Sequence, residues 1–170
     1  PRILAKLEDT IFEGLPNELA KEFPLQFLSA INVGADLLKV WNYFAIWLLT
    51  DAEYGMLQFA DNKKVVQDIA DAYLEDITTS VSVERWKELR KVAAADAAAN
   101  AAANAAYFAA SSAAYYATAY GAYYAANSYA ATAYAADAYS ANSYSAAADK
   151  KQAWYVAASK KLIELLTETL

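Results

Sequence analysis

Between residues 92 and 148 this chain has 30 alanines, 10 tyrosines and only two charged side chains, Asp96 and Asp137. Alanine has the highest helix propensity and the smallest side chain that still supports a helix, whereas tyrosine adds a broad ring with a polar tip. A segment built from these two favours closely packed helices studded with aromatic contact groups. It holds almost nothing able to move a proton or ligate a metal, so it speaks for structure or binding.

The length of 170 residues suits one domain, and an apolar content of 58% is ample for a core. The net charge of −6, from 20 acidic and 14 basic residues, argues against wrapping nucleic acid, which calls for a basic face. With no cysteine there is neither a disulfide frame nor a thiol nucleophile, and with no histidine the commonest acid/base group and zinc ligand are both missing. No cofactor or metal is expected, and a reducing, cytoplasmic setting is the expectation.

Pro1, Arg2 and Ile3 are not followed by the long apolar run of a secretory signal, so removal of an initiator methionine is the simplest reading of the start. The longest strongly apolar stretch, VWNYFAIWLL at 40–49, includes Asn42 and falls far short of the roughly 20 residues needed to cross a bilayer. It reads as core. The alanine tract is long enough to cross, but Asn100, Asn104, Ser111, Ser112, Asn127, Ser128, Asn142 and Ser143 would be costly in hydrocarbon. No membrane role is expected.

The first half reads as a series of helices. Ile3, Leu4, Leu7, Ile11 and Phe12 share one side at helical spacing, and Gly14 closes that element. Pro16 suits a first helical turn whose inner side is marked by Leu19 and Phe23; Pro24 opens another helix with Phe27, Leu28 and Ile31, ending near Gly34. From Ala35 the chain is apolar on nearly every side, which places that helix centrally. Residues 51–55 read as its end or a bend. Asp61 is a candidate cap for a helix with Val65, Val66, Ile69, Ala72, Tyr73 and Ile77 inside, and Ser82 for the next, with Glu84 in its first turn. Trp86, Leu89 and Val92 then lead into alanine. Asp149 is the candidate cap of a final helix with Trp154, Ala158, Leu162, Leu165 and Leu166 facing inward.

Within the tract, Asp96, Asn100 and Asn104 recur every four residues and form a polar seam on one helix side. Tyr116, Tyr120, Tyr123 and Tyr124 form an aromatic stripe, with Gly121 permitting close approach. Beyond it Tyr129, Tyr134, Tyr139 and Tyr144 repeat every five residues, in the units ANSYA, ATAYA, ADAYS and ANSYS. Five-residue steps turn about 140° on a helix, so the four rings point in four directions. Either one helix is contacted all round, or the segment breaks into shorter helices, or the pentads form coils of a β-solenoid, but such coils want a small residue two before the large one, where this chain has Asn127, Thr132, Asp137 and Asn142. Propensity favours helix.

Asp68, Asp71 and Glu75 share a helix face with the spacing of a cation or acid/base site, yet nothing histidine-like or glycine-rich accompanies them, and a solvated acidic face is the simpler reading. The polar seam is read as a device that keeps an alanine helix in register. No phosphate loop, nucleophile elbow or zinc spacing appears. The aromatic groups are the stronger candidates, because Tyr and Trp bury much area at small entropic cost and retain a hydrogen-bonding tip. Any one tyrosine is more readily a core residue than a contact. One helix nevertheless cannot turn all ten inward, which makes Tyr129, Tyr134, Tyr139 and Tyr144, with Tyr116 and Tyr120, the candidate partner-binding residues.

A tryptophan-bearing helix ending in IWLLTD (46–51), a helix with an acidic end (VVQDIADAYLED, 65–76), ERWKELRKVAAADAAANAAANAA (84–106), the alanine/aromatic tract and a closing QAWYVAASKKLIELL (152–166) together resemble the alanine-rich immunity proteins of bacteria and their phages. The likeness spans about residues 40–168. The chain departs from that pattern in using tyrosine, serine and asparagine where arginine and tryptophan usually stand between the alanines. The resemblance implies an all-helical protein that neutralises another protein, with no catalytic residues to carry over.

The expected fold is all-α: an N-terminal helical region of residues 1–90 packed on an alanine/tyrosine-rich helical array, 91–170, closed by the last helix, the two forming one integrated domain. The expected function is non-enzymatic inhibition of a bacterial toxin or a defence protein, of immunity or phage anti-defence type, with Tyr and Trp as anchors; self-association is compatible with it. Two other classes stay open. A sponge for a nucleotide signalling molecule would stack bases on aromatic rings and meet phosphate with residues such as Lys150 and Lys151. An ice-binding or structural protein would need regular exposed rows of Ala, Thr and Ser, for which only Thr118 and Thr132 serve.

Overall fold

The computed structural model describes residues 2–58, 60, 62–97 and 144–169, with side chains for all of these except 94–97 and 144–150. The described residues are all-α, with no strand: α1 (Arg2–Gly14), α2 (Asn17–Ala20), α3 (Phe23–Ala30), α4 (Leu37–Thr50), a single 3-10 turn (Met56–Gln58), α5 (Lys63–Thr78), α6 (Val83–Ala97) and α7 (Tyr144–Glu168). Helix α4 is the central element. It packs along α5, against α7 and the 3-10 turn, and at its side against α1. Its sequence explains the position: Val40, Trp41, Phe44, Ala45, Leu48 and Leu49 are all buried, so more than one side of the helix is covered.

The helices begin and end where local chemistry provides for it. Asp36 accepts the Leu38 N–H at 3.1 Å and starts α4; Asp51 follows its end and its Oδ1 accepts the N–H groups of Glu53 (2.9 Å) and Tyr54 (2.7 Å), which turns the chain away. Ser82 takes the Arg85 N–H at 3.2 Å and is the N-cap expected for α6. Pro24 sits in the first turn of α3, as its fixed φ and missing N–H allow. Two caps differ from expectation. The residue before α5 is Asn62, with Asp61 outside the described residues, and α7 begins at Tyr144, well before Asp149, because alanine and serine extend a helix as readily as they precede one.

The inner stripes are largely those expected. Ile3, Leu4, Leu7 and Ile11 of α1, Val65, Val66, Ile69, Ala72 and Tyr73 of α5, and Trp154, Ala158, Leu162, Leu165 and Leu166 of α7 are buried in one continuous core. Each fully covered Leu or Ile is worth roughly 1.5–3 kcal/mol by area. Phe12, Leu19 and Leu28 depart from expectation and stand 40%, 44% and 66% exposed. Three buried polar side chains are provided for: Thr10 Oγ1 donates to the Lys6 carbonyl (2.9 Å), Ser159 Oγ to that of Val156 (2.9 Å), and Asn42 Nδ2 to Asp76 Oδ2 (3.2 Å). The Asp76 carboxylate also accepts the Val81 N–H at 2.8 Å, so one side chain ties α4 to the connection between α5 and α6.

Candidate functional site

Helix α6 leads into the alanine/tyrosine tract and α7 returns from it; aromatic contacts tie α7 to α4 directly and α6 to α4 through Tyr73 of α5. On one side, Trp41 meets Tyr73 edge-on (6.2 Å between centroids, 80°), and Tyr73 meets Trp86 of α6 at 4.9 Å. On another, Trp47 lies 6.5 Å from Trp154 of α7, which meets Tyr155 edge-on at 5.1 Å and 82°. Such pairs add about 0.5–1.5 kcal/mol each beyond their area. All four tryptophans of the chain are therefore packing groups: Trp41, Trp86 and Trp154 are buried and Trp47 half-buried. This corrects the expectation that tryptophan shares the anchoring role with tyrosine. The Trp154 indole N–H, enclosed in this cluster, has no acceptor among the described residues.

Tyr116, Tyr120, Tyr129, Tyr134 and Tyr139 lie outside the described residues, as do Asn100 and Asn104; Tyr144 opens α7, with its side chain not among those described, and the same holds for Asp96 in α6. What the structure does place is the pair of helices that carry the ends of the tract, and both belong to one core.

Two of the three carboxylates on α5, Asp68 and Asp71, are held by their own helix. Lys64 binds Asp68 through both oxygens at 2.7 and 2.6 Å, and Gln67 binds Asp71 at 2.8 Å, each across one turn. These are the pairings of a solvated helix face. No group of three or more acidic, histidine or cysteine side chains arranged to hold a metal occurs among the described residues.

A shallow crevice of about 480 Å³ lies between α4 and α7, lined by Tyr43, Lys161, Leu165, Glu168 and Thr169. Lys161 is paired with Glu164 one turn on, and Glu168 lines the same opening, so the crevice does not offer the converging positive charge that a phosphate needs.

The feature that sequence reasoning missed is aliphatic. Phe23 and Phe27 turn the inner side of α3 to the core, which leaves Leu25 and Leu28 on the outer side, 71% and 66% exposed. The chain then makes a turn whose tip, Val33, is fully exposed. The signal was present in residues 23–35, which carry no charge at all, but with apolar side chains on both sides of so short a helix, spacing alone does not tell which side is covered.

Among the described residues, no helix is long and apolar enough to cross a membrane. No protein-family model matches the chain, and searches of curated proteins and of solved structures find no match either.

Proposed function

We propose that this chain is a non-enzymatic binding protein of immunity or phage anti-defence type, which neutralises a bacterial toxin or a defence protein in the cytoplasm by direct contact. The observation that carries this reading is the tract itself: 10 of the 14 tyrosines stand in a 57-residue segment with two charges, tied at both ends to one helical core through α6 and α7. Rigid attachment lowers the ordering cost of a contact surface, and tyrosine is among the residues that dominate such contacts. The anchors are Tyr129, Tyr134, Tyr139 and Tyr144, with Tyr116 and Tyr120 beside them. A site of this kind blocks by occupancy and asks for no titratable group.

The test is capture of a partner from bacterial lysate by the immobilised chain, then serine replacement of the four pentad tyrosines. Loss of capture with unchanged helicity supports the proposal; undiminished capture, or unfolding of the variant, overturns it. Calorimetry with cyclic nucleotides examines the sponge reading, for which binding heat at a stoichiometry near one per chain is the requirement.

A further inference from the structure

We infer that the crevice between α4 and α7 receives the guanidinium group of an arginine side chain presented by a protein partner. Tyr43 lines it from α4, and Lys161, Leu165, Glu168 and Thr169 line it from α7 and the residue that follows; its volume of about 480 Å³ lies within the range of small-ligand sites. What these groups can still bind depends on how they are already engaged. The Lys161 ammonium is met by Glu164 one turn on. The Thr169 hydroxyl donates its proton to the Leu165 carbonyl at 2.7 Å, which leaves the hydroxyl oxygen as an acceptor. The Glu168 carboxylate has no ion-pair or hydrogen-bond partner among the described residues. A lining whose unspent polar groups are acceptors, one of them charged, calls for a cation rich in donors.

The end of α7 adds a second reason. This helix runs 25 residues to Glu168 and has no basic residue in its last turn, so the partial negative charge of its carbonyl end falls beside a carboxylate and not beside a cation. An incoming cation relieves both. On α4, Lys39 stands one turn before Tyr43 but is paired with Asp36 (3.8 Å), and residues 23–35, which include α3 packed on α7, carry no charge. The last turn is held in place, because the Asn32 side chain donates to the Thr167 carbonyl at 3.3 Å and the Thr169 N–H to that of Leu165 at 3.1 Å. Arginine fits better than lysine: a planar guanidinium lies against a phenol ring while its fork of N–H groups reaches a carboxylate, and Tyr43, 41% exposed, offers the ring. The net charge of −6 draws a basic surface toward the chain. This assignment does not rest on the tyrosine anchors, since none of the crevice's described lining belongs to the tract.

Titration of the isotope-labelled full chain with N-acetyl-arginine amide, followed through backbone amide chemical shifts, tests this. Saturable shifts centred on Tyr43 and on residues 161–169, with a Kd in the millimolar range, are expected, and N-acetyl-citrulline amide, the neutral isostere, should give none. Glu168→Gln is expected to weaken binding at least about fivefold and Tyr43→Leu about as much, with helicity unchanged because both positions are exposed. Serine variants of Tyr129, Tyr134, Tyr139 and Tyr144 should bind the probe as the wild type does, so that failure of the tyrosine contact and failure of this site are told apart. Absence of saturable shifts at tens of millimolar overturns the inference, as does citrulline that binds like arginine or a Glu168→Gln chain of wild-type affinity. Equal binding of N-acetyl-lysine amide would reduce the site to a point charge and overturn the guanidinium assignment.

Discussion

Gly14, the last residue of α1, lies against the ring of Tyr155 on α7, so closely that a Cβ built there would overlap Cδ1, Cδ2 and Cε2 of the ring. The glycine serves close approach between two helices far apart in sequence. Gly14→Ala is expected to cost about 1–3 kcal/mol, the usual penalty of overpacking a filled site, seen as a lowered melting temperature. In a Tyr155→Ala background the same substitution should cost much less than this, and a double-mutant cycle with no coupling between the two positions would refute the contact.

Asp76 has two obligations, to Asn42 Nδ2 and to the Val81 N–H. Asp76→Ala leaves both donors without their acceptor and is expected to lose about 2–3 kcal/mol in urea denaturation. Asp76→Asn retains an acceptor oxygen and should recover roughly half of that loss. Equal losses in the two variants would show that the site stabilises through charge and not through these hydrogen bonds.

Burial holds the Tyr73 phenol well above the usual tyrosine range; the hydrogen bond with the Trp41 side chain acts in the opposite direction, and the nearby Asp76 charge adds to the rise. Above the unfolded-state value near 10, the unfolded chain loses this proton while the folded chain keeps it. The contribution is complete below about pH 10 and is lost as pH rises beyond it, at about 1.4 kcal/mol per pH unit. Tyr73→Phe is expected to be less stable at neutral pH, since it keeps the ring but removes the hydroxyl that hydrogen-bonds with the Trp41 side chain, and to show a shallower decline of stability above pH 10. Parallel declines in wild type and variant would remove Tyr73 as a source of the alkaline slope.

Ser82 caps α6, the helix that carries Trp86 into the core. Ser82→Ala is expected to lower stability by about 1 kcal/mol, and Ser82→Asp to restore it to within a few tenths. Thermal melts followed by circular dichroism decide this, and an alanine variant as stable as the wild type would show that packing of Trp86 alone holds the start of α6.

Read on its own, the sequence determined that the described chain is helical, the order of its main helices, the Ser82 cap, and the inner stripes of α1, α5 and α7, because each depends on spacing and turn chemistry within a few residues. It also marked residues 92–148 as unusual through composition alone, though the candidate tyrosines there lie at positions the structure does not describe. Tertiary structure decided what spacing does not encode: that the tryptophans are packing groups, that Asn42 finds its acceptor at Asp76, and that Gly14 exists for the sake of Tyr155. It also decided that Leu28 faces outward with Leu25 while Phe27 faces in. A short helix apolar on both sides has two faces of similar hydrophobicity, and which one is covered depends on where its neighbours lie, a property of the assembled core and not of the helix itself.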